Sequence, residues 1–157
     1  SDPEVKIALY GISMGGATVM MTAGEELPSN VCAAIEDCGY TSVWDEFEEQ
    51  LKRKFRLPSF PLLNIASYIC DKQGGYDFKE ASAQKQVARC DIPMMFIHGD
   101  ADDFVPFEML DKVYESASCE KQKLVIEGAG HAMSSSVAPE LYWSEVEKFL
   151  DRHMNGQ

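Results

Sequence analysis

Apolar residues in this chain fall into two kinds of pattern. Val5–Tyr10, Val31–Ile35, Pro93–Ile97 and Lys123–Ile126 are short, largely unbroken apolar runs of strand length. Between them apolar positions recur every three or four residues: through Met14–Ala23, at Trp44, Phe47, Leu51 and Phe55, through Leu62–Ile69, at Leu110, Val113, Tyr114 and Ala117, and at Tyr142, Val146, Phe149 and Leu150. A strand apolar on both sides is buried on both sides, and such strands alternating with amphipathic helices predict an α/β fold. The expected architecture is a parallel sheet of about four strands flanked by helices. Strand, helix, strand, helical insert, strand, helix, strand, helix is the expected order, with the insert over residues 41–90 and one domain over residues 1–157.

Local signals set the boundaries. Ser42 and Asp45 are spaced as a capping box ahead of a helix whose first turns are acidic (Asp45, Glu46, Glu48, Glu49) and whose last are basic (Lys52, Arg53, Lys54, Arg56). That acidic run is expected as a solvated face. Pro58 and Pro61 end the helix, Gly74-Gly75 make a turn, and Pro106 and Pro139 suit first helical positions.

With 157 residues, 45 % of them hydrophobic, the chain can bury one genuine core. Its net charge of −12 repels phosphate backbones and anionic headgroups, so neither nucleic acid nor a membrane surface is an expected partner. The five cysteines (Cys32, Cys38, Cys70, Cys90, Cys119) are odd in number, scattered, and free of Cys-x-x-Cys spacing. Buried reduced thiols in a reducing, cytoplasmic compartment are expected, rather than a disulfide framework or a zinc site. A start at Ser-Asp-Pro leaves open a targeting segment upstream.

The chemistry enters with Gly11-Ile12-Ser13-Met14-Gly15, between the first strand and the first helix. A serine on so sharp a turn is strained, and the flanking glycines are expected to avoid clashes that a Cβ would make. The helix that follows points its first N–H groups, Met14 foremost, at any anion forming beside Ser13. His98-Gly99-Asp100-Ala101-Asp102-Asp103-Phe104-Val105-Pro106 follows the third strand and Gly128-Ala129-Gly130-His131 the fourth. Loops at strand C-terminal ends of a parallel sheet converge on one rim. Ser13 as nucleophile, His131 as base, a carboxylate as orienting acid and the Met14 N–H as oxyanion donor form a set for acyl transfer. The acid is open among Asp102, its neighbour Asp103, and Asp37 after the second strand.

Together these motifs resemble the α/β-hydrolase family over essentially the whole chain. Gly11–Gly15 looks like its nucleophile elbow, and His98–Pro106 like its His-Gly-x-x-Asp-x-x-Val-Pro loop. The resemblance implies that Asp102 is the acid and that the insert occupies the place of the family's helical cap. It also implies only the last four of eight strands, with the loop giving a second oxyanion N–H absent. The first strand would then offer an unpaired apolar edge, so self-association or pairing with an N-terminal half is expected. The chain alone is expected to be weakly active or inactive.

Plainer roles weigh against the others. His98 is expected to be structural, and His153 solvated. Trp44, Phe47, Leu51 and Phe55 suit a core, or a core that also lines an acyl cleft. Asp100, Asp102 and Asp103 lack the companions of a calcium loop, so no metal or cofactor is expected. The resulting expectation is a serine hydrolase of small carboxylic esters or thioesters. A peptidase of the same fold, or a non-catalytic half-domain pairing through its first strand, are the alternatives.

Overall fold

In the computed structural model, which describes residues 5–155, four parallel strands lie side by side in chain order. They are β1 (Ile7–Ile12), β2 (Val31–Asp37), β3 (Met94–Gly99) and β4 (Lys121–Ile126). Register places Gly11 beside Glu36, Asp37 beside Ile97 and His98 beside Val125.

Strand alternation sorts β2 and β3 into two cores. Ala34, Met94 and Phe96 face one way, packed with Val19 and Met20 of α1 (Met14–Ala23), Ala83 and Val87 of α4 (Ala83–Val87), and Leu110 and Val113 of α5 (Glu108–Ser116). Ala33, Ile35, Met95 and Ile97 face the other way, against Tyr142, Val146 and Phe149 of α7 (Pro139–Leu150), which follows the short α6 (Ser134–Val137). Pro139 is the first residue of α7, as expected, whereas α5 begins two residues beyond Pro106.

Helices α2 (Val43–Gln50) and α3 (Leu62–Gly74) lie between β2 and β3, with a π-helical turn over Leu51–Phe55 extending α2. The final part of the expected insert differs from the rest: α4 lies on the sheet rather than above it, because Ala83, Val87 and Cys90 belong to the apolar core under α1 and α5. Ser42 caps α2 by accepting from the Asp45 N–H at 3.0 Å. The reciprocal half of the box goes to Thr41, whose hydroxyl donates to Asp45 Oδ2 at 2.6 Å.

Two expectations about charged residues are overturned. Strand β2 runs on through Glu36 and Asp37 instead of ending at Ile35, so both carboxyls are buried. His153 is not solvated either. A π-helical turn over Asp151–Asn155 folds its ring back onto Phe149, with centroids 4.7 Å apart. Among the described residues β1 is an edge strand, and no helix is long and apolar enough to cross a membrane.

Candidate active site

The four strands end along one rim of the sheet, and the loops beyond them carry the site. Ser13 continues the β1–β2 ladder by donating its N–H to the Asp37 carbonyl at 2.8 Å, then turns abruptly at φ 57°, ψ −118°. Cys38 and Ala132, also at the rim, share this left-handed φ (47° and 57°), a concentration of strain typical of functional turns. Of the two motif glycines, only Gly11 is required by space: a Cβ there would sit 2.2 Å from the Gly15 carbonyl oxygen. A Cβ on Gly15 would meet nothing within 4 Å, contrary to expectation. Gly16 makes the close helix–sheet approach instead: a Cβ there would sit 3.0 Å from the Asp37 carbonyl oxygen.

Ser13 Oγ lies 2.8 Å from His131 Nε2. The other nitrogen of that ring, Nδ1, lies 2.9 Å from Asp102 Oδ2. A carboxylate only accepts, so Nδ1 carries the hydrogen and Nε2 is left to accept from the serine hydroxyl. Asp102 is fixed in turn: its Oδ1 accepts from the Phe104 and Val105 N–H groups, both at 2.9 Å. Burial would push the Asp102 carboxyl up, but hydrogen bonds from His98, His131 and those two amides hold it below the usual carboxylate range. It is therefore ionised at neutral pH.

The other two carboxyls weighed for this position are used differently. Asp37 accepts from Ser134 Oγ and Tyr142 Oη, each at 3.0 Å, and Tyr142 is itself 2.8 Å from the Tyr10 hydroxyl. Burial is the main reason that the Asp37 carboxyl is raised. The Asp103 residue is exposed, and its carbonyl accepts from Arg53 Nη1 at 2.9 Å. Asp100 accepts from the Gly128 N–H at 2.6 Å, tying the acid loop to the base loop.

His98 is fully buried, with Nε2 3.1 Å from the Val105 carbonyl and 3.3 Å from Asp102 Oδ2. Phe104 lies against the His131 ring with centroids 4.8 Å apart. Its outer face carries Lys54 Nζ, 4.2 Å from the centroid. Cys38, Asp102 and His131 offer possible metal-ligand atoms within 4.8 Å of one another. However, Asp102 and His131 are bonded to each other, and burial followed by the nearby Asp37 pushes the Cys38 thiol up to about 12. That thiol stays protonated, a poor starting point for a metal ligand.

A cavity of 550 Å³ opens beside Ser13, walled by Tyr40, Phe47, Phe78, Phe104 and Glu46 among others. Glu46 was expected on a solvated face, yet it is only 6 % exposed. Its place on α2 with Val43 and Gln50, three residues before and four after, was the available signal. Phe47 is split between roles: it packs edge-on against Phe78 (5.1 Å) and also faces this cavity.

The whole described chain lies within residues 3–157, which match the model of the prolyl oligopeptidase family. The chain belongs to that family. Among curated proteins it is 32 % identical over 145 residues to the uncharacterized protein YqkD of Bacillus subtilis (strain 168), covering 92 % of this chain and 48 % of that protein. It is 23 % identical over 148 residues to the uncharacterized protein YfhR of Escherichia coli O157:H7, covering 94 % and 41 %. Among solved structures it is similar to a Pyrococcus furiosus esterase (TM-score 0.69, 22 % identity, 95 % of this chain and 54 % of that one). It is also similar to a Pyrococcus horikoshii acylaminoacyl peptidase (TM-score 0.74, 16 % identity, 98 % and 25 %). This prolyl oligopeptidase-family chain thus has the α/β-hydrolase fold of those proteins and corresponds to only part of them. It spans about half the length of the curated relatives it matches.

Proposed function

We propose that this family member is a serine hydrolase that cleaves carboxylic esters or thioesters through an acyl-Ser13 intermediate. The observation that carries the reading is the continuous hydrogen-bonded line Ser13–His131–Asp102, with the hydroxyl facing a mainly apolar cavity.

Ser13 Oγ attacks the acyl carbon as its proton passes to His131 Nε2. The ionised Asp102 stabilises the imidazolium and holds Nδ1–H in the required tautomer. The N–H groups of the first turn of α1 have no acceptor within the helix, and that of Met14 follows the nucleophile directly, so it faces the developing oxyanion. The imidazolium returns its proton to the leaving group. Water, deprotonated by the same His131, then releases the acid and restores Ser13. No cofactor takes part.

A peptidase reading is favoured by the family itself, and by the acylaminoacyl peptidase of similar fold. The leaving amine would be protonated by His131 in the same way, so the triad serves either substrate. A panel of p-nitrophenyl esters beside aminoacyl p-nitroanilides, with Ser13→Ala as blank, separates the two. Ester turnover that vanishes in the blank supports the proposal; turnover of the anilides alone supports the peptidase.

In the same proposal β1 is where further strands attach. Its side chains leave Ile7 (38 %) and Tyr10 (43 %) exposed, and an uncovered apolar edge strand is a template for association. A second oxyanion donor is expected from that side, and pairing there, with a complementary segment or a second copy, is the proposed partner interaction.

A further inference from the structure

Glu46 is a buried carboxylate in the wall of the reactive cavity with one oxygen unaccounted for. Its Oε1 accepts from Gln50 Nε2 at 2.8 Å. The second hydrogen of that amide goes to the Phe104 carbonyl, also at 2.8 Å, so Gln50 has nothing left to offer. Glu46 Oε2 is buried without a partner. An unpaired carboxylate oxygen is costly to bury. The surroundings do not neutralise it. Burial foremost, with Asp102 and Glu49, raises the Glu46 carboxyl against the Gln50 hydrogen bond and the pull of His131, and Lys54 lies over Phe104. A neutral donor would satisfy the lone pair and leave the charge; a cation satisfies both. Phe47, Phe78 and Phe104 line the same cavity, and aromatic faces accept a cationic nitrogen.

We infer that Glu46 is a specificity residue, and that the substrate carries a protonated amine which pairs with Glu46 Oε2 while the acyl carbon lies against Ser13. The inference rests on the acyl-transfer reading for its second half only. Such an amine could belong to an alkylammonium ester or to the amino terminus of a peptide; both present the same nitrogen.

Binding tests it without turnover. By titration calorimetry on the full chain, n-hexylammonium should bind at least tenfold tighter than n-hexanol. Glu46→Gln should remove the difference and Glu46→Asp should keep part of it. Equal affinity for the two ligands, or a preference untouched by Glu46→Gln, overturns the inference even if esters are hydrolysed. Amine selectivity without any turnover, in the chain extended to the length of its curated relatives, would leave Glu46 as assigned and overturn the acyl-transfer reading. Two kinetic pairs identify the source: p-nitrophenyl 6-aminohexanoate against p-nitrophenyl heptanoate, and alanine p-nitroanilide against its N-acetyl form. The pair whose kcat/KM ratio favours the free amine, and loses that preference in Glu46→Gln, names it. Turnover with no preference in either pair contradicts the inference.

Discussion

His98 Nε2 and His131 Nδ1 converge on a single oxygen, Asp102 Oδ2, at 3.3 and 2.9 Å. One imidazole lies on the solvent side of the carboxylate and the other is sealed beneath it. The lower ring has no solvent to exchange with, so it fixes where the oxygen sits and how much charge it presents to His131.

This arrangement gives the first prediction. His98→Phe keeps the volume but removes a donor from Asp102, which becomes a stronger acceptor for His131 and favours the imidazolium. The acid limb of the pH–kcat/KM profile should move to higher pH, with kcat lowered by about tenfold. A lower kcat with an unmoved limb would reduce His98 to a packing residue.

Stability should depend on pH through Glu36. Desolvation is the main cause that raises its carboxyl from 4.5 to about 8, against a hydrogen bond from the Gly39 N–H at 2.8 Å. Between these values the folded chain holds a proton that the unfolded chain has released, so stability falls as pH rises through that window. The fall should be on the order of a few kcal/mol. Asp37 and His98, both raised, act in the same direction. Asp102 acts oppositely: its contribution is present above the unfolded carboxylate value and is lost as pH falls through its depressed folded one. Urea midpoints from pH 4 to 9 should show the decline, and Glu36→Gln should flatten it.

Phe104 ties the helical insert to the base. Gln50 and Lys54 hold it from above while its ring supports His131. Phe104→Ala should lower kcat/KM by about tenfold by loosening the imidazole, with a thermal midpoint within a few degrees of the parent. Unchanged kinetics would show that the two hydrogen bonds to His131 orient it unaided.

The free edge of β1 sets the fourth expectation. Extended at its N-terminal side to the length of its curated relatives, the chain should gain on the order of 10²-fold or more in kcat, as expected for a restored oxyanion donor. Light scattering should show the unextended chain self-associating. A monodisperse monomer with equal activity would contradict both statements.

Much of this was legible in the sequence because it rests on local pattern. The four strands, the turn at Ser13 and the two loops that carry Asp102 and His131 each announce themselves within a few residues. What escaped depends on direction rather than spacing. Glu46 lies within an acidic run, and only the packing of α2 over the cavity turns it inward while Glu48 stays out. Glu36 and Asp37 read as the start of a loop because charged residues seldom continue a doubly buried strand; here Gly39, Ser134 and Tyr142 supply the donors that make it tolerable. His153 was misplaced although it stands four residues after the buried Phe149, a spacing that puts both side chains on one helical face.

Labelling with a fluorophosphonate, followed by peptide mass spectrometry on the extended protein, decides whether Ser13 is the nucleophile. One phosphonyl adduct is expected, on Ser13, absent in Ser13→Ala and formed at least a hundredfold more slowly in His131→Ala. An adduct elsewhere, or no adduct on a folded protein, would contradict it.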